Sequence, residues 1–250
     1  MPTISTIIIT KNEEQQIRSC IEAVLWTDEI VVLDCGSSDN TKNICREFAP
    51  KVKLYETDWP GFGKQKNRAL DLATSDWILS IDADEIVPTE LKNEMLLAVK
   101  CDSYVAYQIP LQNHFLNRQI KYCFKKDLHI RLAKKGFCKF SDEIVHEKII
   151  INGRIGRLQE KLNHFSYANL EELIDKINSY STLGSLKLYQ SQKKTSFVQA
   201  LAYASWRFIK IYFINLGFLD GLPGFIMACS NFEGTFYKYV KLLEKNRKSK

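Results

Sequence analysis

The sequence is short of the signals that would place it in several large classes. Its seven cysteines are odd in number, and no pair stands in C-x-x-C spacing. That argues against a disulfide framework and against a zinc site, and it fits a reducing cytoplasm. Met1-Pro2-Thr3 runs straight into an apolar, strand-like segment, with no basic stretch ahead of a long apolar core, so no signal peptide is expected. There is no G-x-G-x-x-G, which disfavours dinucleotide binding, and no DNA- or RNA-binding motif. No internal repeat or low-complexity tract is present. The longest apolar and aromatic run, Phe197 to Leu219, is interrupted by Arg207 and Lys210 near its middle. Each charge at the centre of a bilayer would cost roughly 2.5–3.5 kcal/mol, so this run is not expected to cross one.

Charge is present but uneven. The formal net charge of +6 arises entirely beyond residue 164: residues 1–164 hold 23 basic and 23 acidic side chains, residues 165–250 hold 12 and 6. The basic excess lies beside Trp206, Phe208, Tyr212 and Phe213. That combination points to an anionic membrane surface as a partner, reached by a helix lying on the leaflet, and not to nucleic acid.

The first hundred residues alternate short β-branched runs with helical patterns. Thr6–Ile9, Ile30–Leu33, Val52–Tyr55 and Trp77–Ile81 read as buried strands. Between them, Ile17, Ile21, Val24 and Leu25 mark one apolar helix face, with Asn12 as candidate N-cap and Gln15 at the capping-box position. Ser38 or Asp39 can cap a second helix, and Pro88 begins another. This order predicts an α/β fold with a mainly parallel sheet flanked by helices. Residues 105–156 are mixed and strand-rich. A boundary is expected at 164/165, giving a domain over 1–164 and a helical, basic and aromatic extension over 165–250. Gly221-Leu222-Pro223-Gly224 reads as a turn.

Sheets of this kind bind ligands at the carboxyl ends of their strands, and the polar residues gather there. Asp82 and Asp84 lie two apart where a buried strand emerges; in an extended chain both would point the same way, and either both face one divalent ion, Mg²⁺ or Mn²⁺, or one holds the ion while the other holds a sugar or ribose hydroxyl. A lone D-x-D is also an ordinary acidic turn. Asp34-Cys35-Gly36-Ser37-Ser38-Asp39 offers a carboxylate, a glycine turn and small hydroxyls to a nucleoside. Gly61-Phe62-Gly63-Lys64-Gln65-Lys66 leads a glycine-rich loop into a helix with Lys66 placed to hold an anion. Asp142, Glu143, His146 and Glu147 crowd one short segment, where His146 could complete a metal shell and a carboxylate could serve as base.

Together, in this order, these segments resemble glycosyltransferase family 2, and within it the bacterial enzymes that add β-linked glucose to an inner-core heptose of lipopolysaccharide. The matching stretches are Ile8 to Glu14, Val31 to Asp39, Gly61 to Asn67, Asp76 to Glu85, Phe140 to Asp142 with Val145 to Glu147, Asn178 to Thr182, and Gly217 to Gly221. The resemblance implies a GT-A, Rossmann-like fold and an inverting transfer from a nucleotide-diphosphate sugar, UDP-glucose, to a lipid-linked saccharide at the cytoplasmic face of the inner membrane. It implies that Thr10, Glu13, Asp34 and Asp39 line the nucleotide pocket. Asp82 would meet donor ribose or metal, Asp84 would ligate the metal, and Glu147 or Asp142 would be the base. Glu147 is preferred because it directly follows His146. Cys35 departs from the serine expected there.

Two other classes share some of these features. A sugar-nucleotide-forming nucleotidyltransferase would need a basic, glycine-bearing loop after the first strand, and Thr10-Lys11-Asn12-Glu13-Glu14 is acidic and lacks glycine. A non-catalytic membrane-bound sensor would bind the sugar nucleotide without releasing nucleoside diphosphate.

Overall fold

The computed structural model describes residues 2–116, 118–124, 128–141, 148–167 and 169–248. The chain divides into two compact units, Met1–Leu111 with Lys126–His164, and Gln112–Lys125 with Phe165–Lys250. The short segment Gln112–Lys125, which the sequence pattern groups with the first hundred residues, is thus part of the second unit.

In the first unit, β1 (Ile4–Thr10), β2 (Glu29–Asp34), β3 (Val52–Glu56) and β4 (Trp77–Asp82) lie parallel in the order β3-β2-β1-β4. Helices α1 (Ile17–Val24), α2 (Thr41–Glu47) and α3 (Phe62–Leu72) make the crossovers, and α4 (Thr89–Ala98) follows. Strand alternation sends Ile4, Ile8, Ile30, Val32, Leu79 and Ile81 to one face, where they pack with Ile17 and Ile21 of α1 and Leu91 and Met95 of α4. Ile7, Val31, Leu33 and Ile78 face the other way, against Ala69 and Leu70 of α3. Because both faces are covered, the strands read as unbroken apolar runs.

A short β5 (Glu85–Ile86) follows the β4 turn. The sheet then continues with antiparallel strands: β8 (Leu128–Lys134) pairs β4, and β6 (Ala106–Phe115) pairs β8. The two-residue β7 (Arg118–Gln119) folds back on the end of β6. A separate hairpin joins β9 (Cys138–Phe140) to β10 (Ile149–Ile151), β11 (Ile155–Arg157) pairs β6, and β12 (Leu162–His164) pairs β5. The architecture is therefore the expected one: a mostly parallel, mixed sheet flanked by helices, followed by a helical extension.

Three local expectations are corrected. Asn12 does not cap α1; it sits at φ 56 and bonds across to the next loop, while the helix begins after Gln16. The run from Phe197 is not one helix. In the second unit, α5 (Leu170–Gln190) is followed by α6 (Phe197–Ile209), a π-helical turn (Lys210–Ile214), a left-handed Leu216 at φ 64 and a 3-10 turn (Gly217–Asp220). Gly221 to Gly224 is no free turn but the first turn of α7 (Gly221–Lys248), where the N–H that Pro223 lacks would have had no helical acceptor. The bend requires two glycines: a Cβ on Gly224 would lie 2.0 Å from the Gly217 carbonyl oxygen, and one on Gly217 would lie 2.6 Å from that of Ile211. Phe115, Ile120, Cys123, Leu173, Ile211, Met227 and Ala228 form the core of this unit, with Phe208 and Tyr212 packed on it. Those two rings therefore face inward, whereas Trp206 and Phe213 are exposed.

Candidate active site

The parallel strands end together. Thr10 stands opposite Asp34, and Ile9 opposite Asp82, so the three polar termini emerge on one edge. Two loops on this edge are hydrogen-bonded into a single wall. Asn12 N–H donates to Ser37 Oγ at 2.8 Å, Ser38 N–H to Asn12 Oδ1 at 2.8 Å, Glu13 N–H to Thr41 Oγ1 at 2.8 Å and Asn40 N–H to the Glu14 carboxylate at 2.9 Å. Asp39 accepts from Thr41 N–H at 3.0 Å and Glu14 N–H at 3.2 Å. Burial works against its charge, but these bonds hold its carboxyl below the usual range.

Asp34 is fully buried, and its carboxylate closes its own loop, accepting from Gly36 N–H at 3.0 Å, Ser37 N–H at 2.9 Å and the Ser37 hydroxyl. It shapes the wall with both oxygens. Gly36 takes φ +86, a conformation that suits glycine. Cys35 is buried and receives Gln65 Nε2–H at 3.2 Å, so the residue that departs from the serine pattern is a packing point for α3. Thr10 is also buried, and its hydroxyl has no hydrogen-bond partner among the described residues.

At the end of β4, the chain does not stay extended from Asp82 to Asp84. Ala83 and Asp84 form a turn, pinned where Asp82 N–H donates to Glu85 Oε2 at 3.0 Å, so the extended geometry expected of D-x-D is replaced by a tight bend. The two carboxylates face different partners. Asp82 meets Lys66 Nζ at 3.0 Å on one oxygen and Arg131 at 2.8 Å on the other. Both of its oxygens are engaged by cations. Burial opposes its charge, but Arg131 and then Lys66 hold its carboxyl far below the ordinary range. Arg131 also pairs with Glu85, which has no exposed surface; burial and the neighbouring Asp82 and Asp84 push the Glu85 carboxyl up against the pull of Arg131.

Asp84 instead lies 3.4 Å from His164 Nε2. The pairing of β12 with β5 brings them together by setting His164 opposite Glu85. Burial lowers the imidazole's affinity for a proton, but the Asp84 contact and the surrounding carboxylates outweigh it, and its pKa is raised. Among the described residues, no three His, Cys, Asp or Glu side chains are gathered as a complete metal cage. The Asp84 carboxylate fits a hard divalent ion that takes further ligands from phosphate oxygens, and the imidazole beside it would join that shell only as the neutral base.

Asp142, His146 and Glu147 lie outside the described residues. The ends of their segment do not. Asn67 Nδ2–H donates to the Phe140 carbonyl, and Phe140 N–H to Asn67 Oδ1, both at 2.9 Å. Ser141 and Lys148 bond each other through Ser141 N–H at 2.8 Å and Lys148 N–H at 2.9 Å. The Phe140 ring lies 5.9 Å from Lys66 Nζ, which places the anchor of the segment beside the Lys66–Asp82 pair.

Arg131, Glu85 and His164 are not among the site residues expected from the sequence. Arg131 left a signal, a lone cation inside the apolar strand Ile130 to Ala133. His164, one of four histidines, left only its scarcity.

The family model for Glycosyl transferase family 2 matches residues 5–151. An uncharacterised glycosyltransferase of Rickettsia typhi is 34% identical, over 100% of this chain and 90% of its own. The lipopolysaccharide core biosynthesis glycosyltransferase LpsC of Rhizobium meliloti is 29% identical over 97% of this chain and 93% of its own. Among solved structures, the mannosyltransferase PcManGT from Pyrobaculum calidifontis, in complex with GDP-Man and Mn²⁺, has a TM-score of 0.54 at 16% identity, covering 98% of this chain and 88% of that one. S. aureus TarS 1–349 with UDP-GlcNAc has a TM-score of 0.53 at 15% identity, covering 99% and 92%.

Proposed function

The chain belongs to glycosyltransferase family 2, and from that premise we propose that it is a metal-assisted, inverting hexosyltransferase. The donor is UDP-glucose and the acceptor a heptose of the lipid-linked lipopolysaccharide inner core, met at the cytoplasmic face of the inner membrane. The observation that carries the chemistry is the Asp84–His164 pair beside the cation-held Asp82, at the shared carboxyl ends of the strands. The LpsC relative supports the acceptor class, and the nucleotide sugars and Mn²⁺ bound by the two fold neighbours support the donor class and a divalent ion.

Asp84 and His164 would hold the ion, Mg²⁺ or Mn²⁺, which when bound neutralises charge on the departing nucleoside diphosphate. Thr10, Glu13, Asp34 and Asp39 belong to the wall that receives the nucleoside. The Thr10 hydroxyl is a ready donor, and Asp34 acts by shaping its loop. Lys66 and Arg131 fix Asp82 so that it meets donor ribose in one orientation. Glu147, with Asp142 as the alternative, takes the proton from the acceptor hydroxyl. That oxygen attacks the anomeric carbon from the face opposite the diphosphate, the bond to the diphosphate oxygen breaks, and the configuration inverts.

The test is product analysis by mass spectrometry with a panel of sugar nucleotides and heptose-containing acceptors, with Mn²⁺, Mg²⁺ or chelator. UDP-glucose turnover is expected, lost with chelator and lost in folded Asp84→Ala and His164→Ala. Glu147→Gln should lower turnover by about a hundredfold or more with donor binding retained. Full turnover of Asp84→Ala without metal would sink the metal reading. Loss in Asp142→Asn alone would move the base to Asp142.

A further inference from the structure

The helical unit carries an apolar surface that its own core does not use. From Ile211 to Phe232 the chain has one charged residue, Asp220. Its carboxylate accepts from the backbone N–H groups of Lys121, Tyr122 and Cys123 at 2.9, 3.0 and 3.0 Å, so it serves as a clasp inside the bend. Around that bend Phe213, Ile214, Phe218, Leu219, Leu222 and Phe225 are each 44–66% exposed. A contiguous apolar patch of this kind marks a surface of association.

Cations border the patch. Arg207 and Lys210 are exposed where α6 approaches the bend, and Lys121 is exposed beside the clasp. Arg207 Nε donates to Asn231 Oδ1 at 3.3 Å, and Lys241 is engaged with Asn178, Ser181 and Thr182. An aliphatic and phenyl tip with a cationic rim is complementary to a leaflet with anionic headgroups over acyl chains. No single described helix is long and apolar enough to cross a bilayer. Phe197–Ile214 and Gly217–Arg247 are long and apolar enough only as a pair, which is bent by 69°.

We propose that this bend is a membrane wedge, with residues 213–225 entering one leaflet by about 5–10 Å while Arg207, Lys210 and Lys121 meet its headgroups. The wedge is assigned to the tip because Asp220 is the one charge between Ile211 and Phe232; α6 also exposes Phe197, Val198, Trp206 and Ile209, but it carries Arg207 among them and turns Phe208 into the core. The wedge rests on the reading of a lipid-borne acceptor and deepens it by naming the surface that reaches the lipid.

The test is flotation of the full chain with vesicles of phosphatidylcholine alone, or of phosphatidylcholine with phosphatidylglycerol, at low and high salt. Flotation is expected with both, greater with the anionic lipid and retained in high salt. Leu219→Glu/Leu222→Glu should lower the bound fraction about tenfold or more, with an unchanged circular dichroism spectrum and unchanged transfer to a water-soluble heptoside. Leu219→Trp should add emission quenched by lipids brominated deep in the acyl chain, while native Trp206 is quenched only near the headgroups. Three results overturn the wedge: flotation only with anionic lipid at low salt and unaffected by the double variant; no flotation of a monomer; or no flotation together with a dimer that the double variant dissociates, which would give the face to a second copy. Absence of transfer to the soluble heptoside with flotation intact would instead sink the functional reading, so the two fail separately.

Discussion

Arg131 is the residue on which the charge balance of the candidate site turns. Its side chain is 10% exposed, its Nε has no hydrogen-bond partner among the described residues, and its guanidinium serves Asp82 and the fully buried Glu85. Removing one member of such a cluster strands a buried charge and costs about 3–5 kcal/mol. Arg131→Met is expected to lose about that much unfolding free energy, and adding Glu85→Gln should restore most of it, because Gln brings no charge into the core. Urea denaturation of the three proteins checks this; equal losses in the single and double variants would assign Arg131 a packing role instead. At the opposite ends of the strands, Glu29 is buried, and burial alone would favour its neutral form. Lys53 at 2.5 Å, the Ser5 hydroxyl at 2.6 Å and the Thr74 N–H at 2.8 Å overcome that, and its pKa is lowered to about 2. A depressed carboxyl stabilises the fold above its unfolded pKa of about 4.3, and the contribution fades as pH falls toward 2. Glu29→Gln should therefore cost on the order of 2–3 kcal/mol at neutral pH and progressively less in acid. A gap that stays constant from neutral pH to pH 3 would refute the linkage.

At the scale of elements, the bend between α6 and α7 depends on backbone contact. The Cβ of Gly224→Ala would collide with the Gly217 carbonyl, so the 3-10 turn must open or the helix must start later. Gly224→Ala is expected to lower the melting temperature by several degrees, whereas Gly221→Ala meets no atom within 4 Å and suffers only from its φ of +66. Thermal melts of both variants decide it; equal effects would mean that strain, not contact, governs the bend. The same bend shows where sequence reading reaches its limit. The strands β1 to β4 were legible because a doubly covered parallel sheet writes itself as β-branched runs. The run from Phe197 was legible as apolar but not as broken, because hydropathy does not register a left-handed Leu216 or a glycine-to-carbonyl approach. Asp34, Asp39, Lys66 and Asp82 stand on the expected edge because strand ends are visible in sequence. What they touch was not legible: Asn12 works across loops instead of along its helix, and Asp82 turns to Arg131, some fifty residues away in sequence, instead of to Asp84. His164 reaches Asp84 only through the pairing of β12 with β5, a contact across the chain that no local pattern encodes.

At the scale of the whole molecule, the two units are interleaved in sequence. The first is interrupted between Leu111 and Lys126, and the intervening residues supply Phe115, Ile120 and Cys123 to the core of the second, with the three backbone N–H groups that clasp Asp220. The boundary even falls inside β6, whose residues belong to both units. This arrangement bears on inheritance. A recombination event that joined a new tail at residue 165 would leave Ile120 and Cys123 without the side chains that cover them and Asp220's three donors without an acceptor. The mid-chain insert and the tail must therefore change together, by correlated substitution within one gene, and descendants of this chain should vary the pair as a unit and not exchange the tail alone.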